Sequence, residues 1–332
     1  GKMGMLHGGL LKSLEGVRVT AALDTSRILM RAFSKIDKHM RCFHSYRDMI
    51  ASARPDAVVI ATPPHLHAPI AIYAAQRGIH CFIEKPVSHT AQDARAIQET
   101  AQKTGAKIAV GFCFRYHPVF SKMKELLAAD EIGKVETVDA SIHIADVFKR
   151  ESGWRFSKRL SGGGAMNDIG IHLLDSLNWL FGPFASISGS TKHLFSKEVE
   201  DEATARIGTA SGVSVRFFAS WSDPRHRLIY HRMRVQGKRG VLEMKGQTLE
   251  VQDARGNVRR AYGLPDLYRG AYMDIGGLPH YASQMEHFIR YLRGAEPTRS
   301  GLESAVYAQE TVEAFYKTAT DDSAAGAENA HD

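Results

Sequence analysis

The chain has 332 residues, of which 44% are hydrophobic and 24% charged, a composition typical of a globular protein with room for two domains. No apolar run approaches the ~18 residues that a membrane-spanning helix needs, and no leader with a basic start and an apolar centre opens the chain, so a cytoplasmic protein is expected. The net charge of +7 does not indicate nucleic-acid binding, because the basic residues are scattered and lack the interleaved aromatic residues of recognition modules.

Neither the cysteines nor the loop histidines show the spacing of a metal site. Cys42, Cys81 and Cys113 lie far apart and two of them fall in apolar runs, so buried free thiols are predicted. His65 and His67 lie two positions apart in a loop without a third ligand beside them. No metal site is therefore predicted.

The first 24 residues have the features of a dinucleotide-binding turn. Apolar residues at helical spacing follow Gly4, and a short strand over 17–24 ends in Asp24, about 20 residues after Gly4. Glycines let the backbone approach a pyrophosphate at a helix N-terminus, and the acid holds the ribose hydroxyls. In the pattern G-x-G-x-x-G, Gly1 and Gly4 are the second and third glycines, so the first strand and first glycine are expected to precede residue 1. A lone Gly-x-x-Gly also suits a flexible segment before a helix.

The acid at position 24 bears on the choice of cofactor. A carboxylate repels a 2′-phosphate, so Asp24 favours NAD over NADP. Arg27 lies close enough along the chain to keep NADP open. NAD is therefore the predicted cofactor, with NADP as the alternative.

Helices and strands alternate at short intervals up to residue 113. The predicted helices span 45–51, 68–77 and 91–104, and the predicted strands span 57–62 and 107–112, with another strand from His80 that stops at Pro86. Such alternation is typical of a doubly wound parallel sheet. A dinucleotide-binding Rossmann domain is therefore predicted over 1–113.

Lys85 lies where the apolar strand from His80 ends. Proline cannot donate to a sheet ladder, so Pro86 stops the strand and leaves Lys85 at its carboxyl end, the edge at which open α/β sheets bind ligands. An ordinary surface lysine at a strand end is the alternative. A cis Lys85–Pro86 bond is a further hypothesis, since cis bonds are accessible almost only before proline.

Residues beyond 113 follow a different pattern, in which strands are joined by turns. The predicted strands span 135–144, 185–191, 203–209, 213–221, 232–236, 240–245 and 248–252, and the predicted helices span 114–129, 281–293 and 302–318. An α+β domain with a large open, mostly antiparallel sheet is therefore predicted over 114–320, followed by a flexible tail over 321–332. Apolar side chains at Val213, Val215, Phe217 and Ala219 are expected to avoid water, which favours a homodimer or homotetramer formed through this sheet.

One predicted helix in the second domain carries candidate chemistry. It follows three glycines at 162–164 and places Asp168 four residues before His172, so the two side chains are expected on one face. A histidine suits acid/base chemistry near neutral pH, and a carboxylate can orient it or address the same hydroxyl. An acid favoured by the helix N-terminus beside an ordinary histidine is the alternative. Asp175 is predicted to be a capping or solvent residue, and Arg155 either lines a polar pocket or forms a surface salt bridge.

These motifs together resemble the Gfo/Idh/MocA oxidoreductases. The likeness rests on the N-terminal glycines, Glu84-Lys85-Pro86, and the glycine run leading to Asp168-x-Gly-x-His172, supported by the stretches 61–67 and 111–116. The resemblance covers nearly the whole chain. It implies that Lys85, Asp168 and His172 meet over a nicotinamide, and that the substrate is a sugar, cyclitol or related polyol.

The expected activity is hydride transfer between NAD(P) and a secondary alcohol or ketone. A nucleotide-binding regulator without catalysis and an NAD-dependent glycoside-cleaving enzyme remain alternatives. The expected cofactor contacts are Gly1, Lys2, Met3, Gly4, Asp24, Arg27, Thr62, Pro63, His67, Glu84 and Lys85. The expected substrate contacts are Arg115, Asp146, Arg155, Tyr230 and His280. Neither nucleic acid nor a membrane is expected as a partner.

Overall fold

Short parallel strands alternate with helices in the first part of the computed structural model, which describes residues 1–36, 38–264 and 280–323. The helices are α1 (Lys2–Ser13), α2 (Arg27–Ile36), α3 (Tyr46–Ala53), α4 (His67–Ala75) and α5 (Ala91–Thr104). The strands are β1 (Ala21–Leu23), β2 (Arg41–Phe43), β3 (Ala57–Ile60), β4 (His80–Ile83) and β5 (Ile108–Val110). The predicted alternation is confirmed, although α2 and β2 were missed.

All strand pairs in this part are parallel. Strand β1 pairs with β2, while β3, β4 and β5 form a second sheet in that order. Cys81, Phe82 and Ile83 on the central strand β4 are fully buried. The predicted Rossmann-type parallel sheet is therefore confirmed.

The predicted domain boundaries differ from the division found in the structure. Residues 281–306 group with the Rossmann strands, not with the second domain, which was predicted to run unbroken over 114–320. Tertiary contacts explain this: the ring of Phe288 lies 5.5 Å from that of Phe82, and the amide of Val110 donates to the carbonyl of Ser300 at 2.8 Å. Lys107 Nζ also donates to the carbonyl of Leu292 at 2.9 Å.

The second unit is built on a nine-stranded sheet. Its strands are β6 (Val135–His143), β7 (Phe184–Lys192), β8 (Glu202–Thr209), β9 (Ser214–Ser220), β10 (Tyr230–Gly237), β11 (Gly240–Lys245), β12 (Thr248–Asp253), β13 (Val258–Gly263) and β14 (Thr320–Asp321). Their order is β13-β12-β11-β10-β6-β9-β8-β7-β14, and only the pairs β6–β9 and β7–β14 are parallel among the described residues. The predicted mostly antiparallel sheet is confirmed, with β13 and β14 missed. Most of the predicted flexible tail, from residue 324 onward, lies outside the described residues.

Helices complete the fold. They are α6 (Pro118–Ala128), α7 (Lys158–Ser161), α8 (Ile171–Phe181), α9 (His280–Leu292) and α10 (Leu302–Thr318), with a π-helical turn over Met166–Gly170. That turn packs on β9, where the ring of Phe217 approaches Gly170. No helix among the described residues is long and apolar enough to cross a membrane.

Burial within the single chain bears on two of the sequence predictions. Val213, Val215, Phe217 and Ala219 avoid water as expected, but they do so in the core of the single chain, without a partner subunit. Cys42, predicted to be buried, is an exposed free thiol, because its strand β2 lies outside the core, whereas Cys81 and Cys113 are buried.

Candidate functional site

The N-terminus of α1 and the acid after β1 lie together in the first unit. The helix begins at Lys2 after Gly1 and has neither a side-chain cap nor an acidic residue in its first turn. The backbone nitrogen of Gly1 contacts the carboxylate of Asp24, which also accepts the Ser26 amide at 2.8 Å. Burial opposes ionisation of Asp24, whereas the hydrogen bond from the Ser26 amide favours it and helps to lower its pKa. An uncapped helix N-terminus beside an ionised acid suits a dinucleotide's phosphates and ribose.

Glu84, predicted to contact the cofactor, is engaged inside the first unit. It is buried, and its Oε1 lies 2.5 Å from Nε2 of the fully buried His7. Its Oε2 accepts the backbone amide of Lys85 at 3.1 Å. A Cβ added at Gly111 would also meet this carboxylate at 2.9 Å. Glu84 therefore links α1 to the end of β4, and His7 is a residue that sequence reasoning missed because its partner is 77 positions away.

His67 joins the loops that follow β3 and β4. Its Nε2 lies 2.7 Å from the carbonyl oxygen of Thr62, and its Nδ1 lies 2.9 Å from that of Pro86. Burial lowers the pKa of His67 despite these carbonyls. Lys85, directly before Pro86, is half-buried, and the Lys85–Pro86 bond is cis, as hypothesised. Of the other predicted cofactor residues in this unit, Pro63 caps a short turn after β3 and Arg27 is exposed at the start of α2.

Asp168 belongs to a chain of charged side chains in the second unit. Arg155 donates to its Oδ2 from Nε at 2.9 Å and from Nη2 at 2.7 Å, and also contacts the carboxylate of Asp146. The guanidinium lies 4.8 Å from the ring centre of Trp221. All three charged side chains keep some exposure, between 27% and 42%. The structure thus brings together three residues predicted separately, and gives a polar site whose two acids share one cation.

His172 lies in an aromatic environment in the same unit. It is buried, and its ring centre lies 5.0 Å from that of Phe114 and 6.2 Å from that of Phe112. The helix predicted after the glycines at 162–164 is not regular throughout, because a π turn over Met166–Gly170 precedes α8. Asp168 lies in the turn and His172 in α8. Such turns occur frequently at functional sites.

Glu200 holds the glycine run that leads into this turn, and sequence reasoning missed it. Its carboxylate accepts the amides of Gly164 at 3.0 Å and Met166 at 2.8 Å, and the hydroxyl of Tyr316 at 2.7 Å. The glycines are needed for this close approach: a Cβ at Gly164 would lie 2.0 Å from the backbone oxygen of Glu200. Burial raises the pKa of Glu200, and the donors oppose that rise. An acid directly before a strand gave no sequence signal of this role.

Arg115 and Asp175 form a buried ion pair. Nε and Nη2 of Arg115 donate to the two carboxylate oxygens at 2.8 and 2.7 Å. The prediction that Asp175 is a capping or solvent residue is wrong, because its side chain is fully buried against this guanidinium. Burial raises the pKa of Asp175 while Arg115 opposes the rise. Arg115, expected at the substrate, thus has an observed role in the core.

The remaining two predicted substrate residues lie in other settings. Tyr230 stacks on His226 with ring centres 4.3 Å apart. His280 is buried beside His117, with ring centres 5.1 Å apart, and His117 lies 5.5 Å from His231.

Comparison with known proteins identifies the family to which this chain belongs. Residues 1–112 match the model of the oxidoreductase family with an NAD-binding Rossmann fold, and residues 120–243 match that of the GFO/IDH/MocA C-terminal domain. The chain belongs to the Gfo/Idh/MocA oxidoreductase family, as the sequence motifs indicated.

Individual relatives have low sequence identity to the chain but match most of its length. The chain is 29% identical to inositol 2-dehydrogenase of Rhizobium meliloti (strain 1021) over 91% of its length and 89% of that protein. It is 26% identical to D-apiose dehydrogenase of Paraburkholderia graminis over 87% of its length and 78% of that protein. A solved structure of levoglucosan dehydrogenase with NADH and levoglucosan has a TM-score of 0.84 at 21% identity, covering 96% of this chain and 94% of that one. This last likeness is one of fold.

Proposed function

We propose that the chain is an NAD-dependent dehydrogenase that oxidises a secondary alcohol of a sugar or cyclitol. The observation that carries the proposal is the group formed by Asp146, Arg155 and Asp168 beside the glycine-led turn that precedes His172. Carboxylate and guanidinium groups suit a polyol, because they bond several hydroxyls at once. The names of the sugar and cyclitol dehydrogenases among the relatives support the same substrate class.

The residues present in the first unit fit a nicotinamide dinucleotide. Gly1, Lys2, Met3 and Gly4 would lie at its phosphates and Asp24 at the adenosine ribose, since α1 presents an uncapped N-terminus near that acid. When bound, NAD supplies the acceptor for the hydride. The acid at position 24 favours NAD, and NADP remains the weaker candidate.

Proton transfer is assigned to this chain's own side chains. His172 accepts the proton of the substrate hydroxyl as the hydride leaves the same carbon. Asp168, which accepts a hydrogen bond from Arg155, orients His172 or bonds that hydroxyl. Lys85 stabilises the substrate oxygen as it changes from hydroxyl to carbonyl, and His67 positions Lys85 through the carbonyl of Pro86.

Single substitutions test these roles. In Lys85→Ala and His172→Ala, we expect kcat with the best polyol to fall by about 10²-fold or more, since positioned acid/base groups contribute roughly 10²–10⁴-fold. NAD binding by His172→Ala, followed by fluorescence, should persist, since His172 is not among the expected cofactor contacts. The measurement is the absorbance of reduced nicotinamide with NAD and a panel of cyclitols and sugars.

Exposed residues of the same types serve as controls: Lys103→Ala and His44→Ala should leave kcat unchanged. Unchanged turnover in both active-site variants would refute the assignment. Nucleotide binding without turnover of any polyol by the wild type would favour a non-catalytic regulator. Release of the sugar from an aryl glycoside would favour glycoside cleavage.

A further inference from the structure

A histidine and aspartate cluster lies at the end of β6 and is formed by residues that have no role in the proposed catalysis. Nδ1 of His143 lies 2.9 Å from Oδ2 of Asp223, and Nε2 of His226 lies 3.9 Å from the same oxygen. One ligand atom from each of the three residues lies within 4.8 Å of the others. The sequence did not predict this cluster, because its members come from two separate stretches of the chain.

These separations match those of ligands that share one metal ion. Atoms about 2.1 Å from a tetrahedral ion are roughly 3.4 Å apart, a value that lies between the two observed distances. Although Nδ1 of His143 is close to Asp223, it makes no hydrogen bond of good geometry with any described residue. The nitrogen and the carboxylate oxygen therefore lie close together without a well-aligned hydrogen bond between them. A metal ion could bind both atoms.

The ligands are held in place by the surrounding chain. The amide of Asp223 donates to the carbonyl of Ile144 at 3.2 Å, and that of Ala145 donates to the carbonyl of His226 at 2.6 Å. The ring of Tyr230 stacks on His226 with an interplanar angle of 3°. Little backbone movement would be needed to close the three side chains on an ion.

Arg225 is a cation that already lies at the cluster. Arg225 donates to both carboxylate oxygens, from Nε at 2.9 Å and Nη2 at 2.8 Å, while 76% of its side chain is exposed. If this side chain turned into solvent, both carboxylate oxygens of Asp223 would become available to another cation.

We propose that His143, Asp223 and His226 form a binding site for a divalent transition-metal ion such as Zn²⁺, for which Arg225 competes as the resident cation. Two imidazoles and one carboxylate are ligands that Zn²⁺ accepts, with water completing its shell. The site would cross-link the end of β6 to the segment that follows β9. It requires none of the residues assigned to catalysis.

Zinc binding is measured by competition with a fluorescent chelator, in a Cys42→Ser background that removes the exposed thiol. We expect one Zn²⁺ per chain and a higher melting temperature with zinc. His143→Asn or His226→Ala should weaken binding at least tenfold, because even outer-shell changes cost about 10–100-fold. Arg225→Ala should tighten binding by about tenfold, since a neighbouring positive charge is removed.

His44→Ala, which removes an exposed histidine of the first unit, is the matched control and should leave the zinc affinity unchanged. Wild-type binding no stronger than that of His226→Ala would overturn the proposal, as would weaker binding in Arg225→Ala. Because the Arg225 variant is expected to gain affinity, a failure to fold cannot imitate the expected result. Polyol oxidation is not part of the readout, so the outcome is independent of the proposed dehydrogenase activity.

Discussion

Two arginine–aspartate ion pairs of this chain have similar geometry but differ in burial. Arg115 and Asp175 are more than nine-tenths buried and pair through two parallel hydrogen bonds, whereas Arg216 and Asp139 make the same kind of pair on the exposed sheet surface. Because the two pairs have the same geometry, a comparison between them separates the effect of desolvation on stability from the effect of charge pairing. Removing one partner from a dry pair leaves an uncompensated charge, while in water the solvent replaces it.

We therefore expect Asp175→Asn to lower the free energy of unfolding by about 3–5 kcal/mol, because Arg115 would stay charged and buried. Asp139→Asn should cost less than about 1 kcal/mol, since its pair is largely solvated. Urea denaturation of both variants measures the difference. Equal effects would show that the Arg115 pair is compensated by other groups.

At the scale of the element, the glycine run before the π turn is held by residues from other parts of the second unit. Glu200 lies just before β8 and caps the amides of Gly164 and Met166, and Tyr316 of α10 completes the set of donors. The site helix is thus fixed by residues from two other elements. The glycines in the sequence indicate that another part of the chain lies close to this backbone, but they do not indicate that this part is Glu200.

Gly164→Ala should destabilise the fold by about 1–3 kcal/mol, because the new Cβ would meet the backbone oxygen of Glu200, which cannot move aside as a side chain can. Gly9→Ala, on the exposed side of α1 with no atom within 4 Å of its Cβ, should be neutral or stabilising by up to about 1 kcal/mol. Thermal and urea unfolding of the two variants give the comparison. A Gly164→Ala protein as stable as wild type would mean that the glycine run is not held by Glu200.

For the whole molecule, buried histidines link stability to pH. His117, His231 and His280 lie together and are almost fully buried. Burial lowers the pKa of His231 to about 4 and that of His280 to about 3, and it lowers the pKa of His117 well below the ordinary value. In the unfolded chain each would titrate near ~6.5. Below that pH the unfolded state binds protons that the folded state does not, so stability rises with pH in this range.

The free energy of unfolding should have its full value above about pH 7 and fall as the pH drops. Each such histidine should lower it by about 2 kcal/mol at pH 5. In His231→Asn the loss between pH 7 and pH 5 should be smaller by that amount. His44→Asn, at an exposed position, should keep the wild-type dependence. Urea denaturation at pH 7, 6 and 5 measures the slopes, and identical slopes in all three proteins would contradict the linkage.

Local patterns were sufficient for the order and type of most elements. The helices α5 and α10 and the strand β11 were predicted with the bounds that the structure has, because apolar periodicity and glycine or proline stops are encoded within each segment. Short exposed elements such as β2 and β13 were missed, since they bury little and so carry no apolar pattern. The membership of 281–306 in the first unit was also missed, because it depends on contacts far along the chain.

The candidate site divides in the same way. By itself the sequence identified Lys85 after a strand, Asp168 and His172 near a glycine run, and Asp24 at the expected distance from Gly4, because backbone conformation demands glycine and proline at set positions. Only the tertiary structure decided that Arg155 joins Asp146 to Asp168, that Glu84 binds His7, and that Glu200 caps the glycine run. A charged side chain has no partner encoded in its neighbours. The tertiary structure brings the charged side chain and its partner together as folding removes the two groups from water. The burial of the pair then distinguishes a pair in the core from one that stays accessible to a ligand.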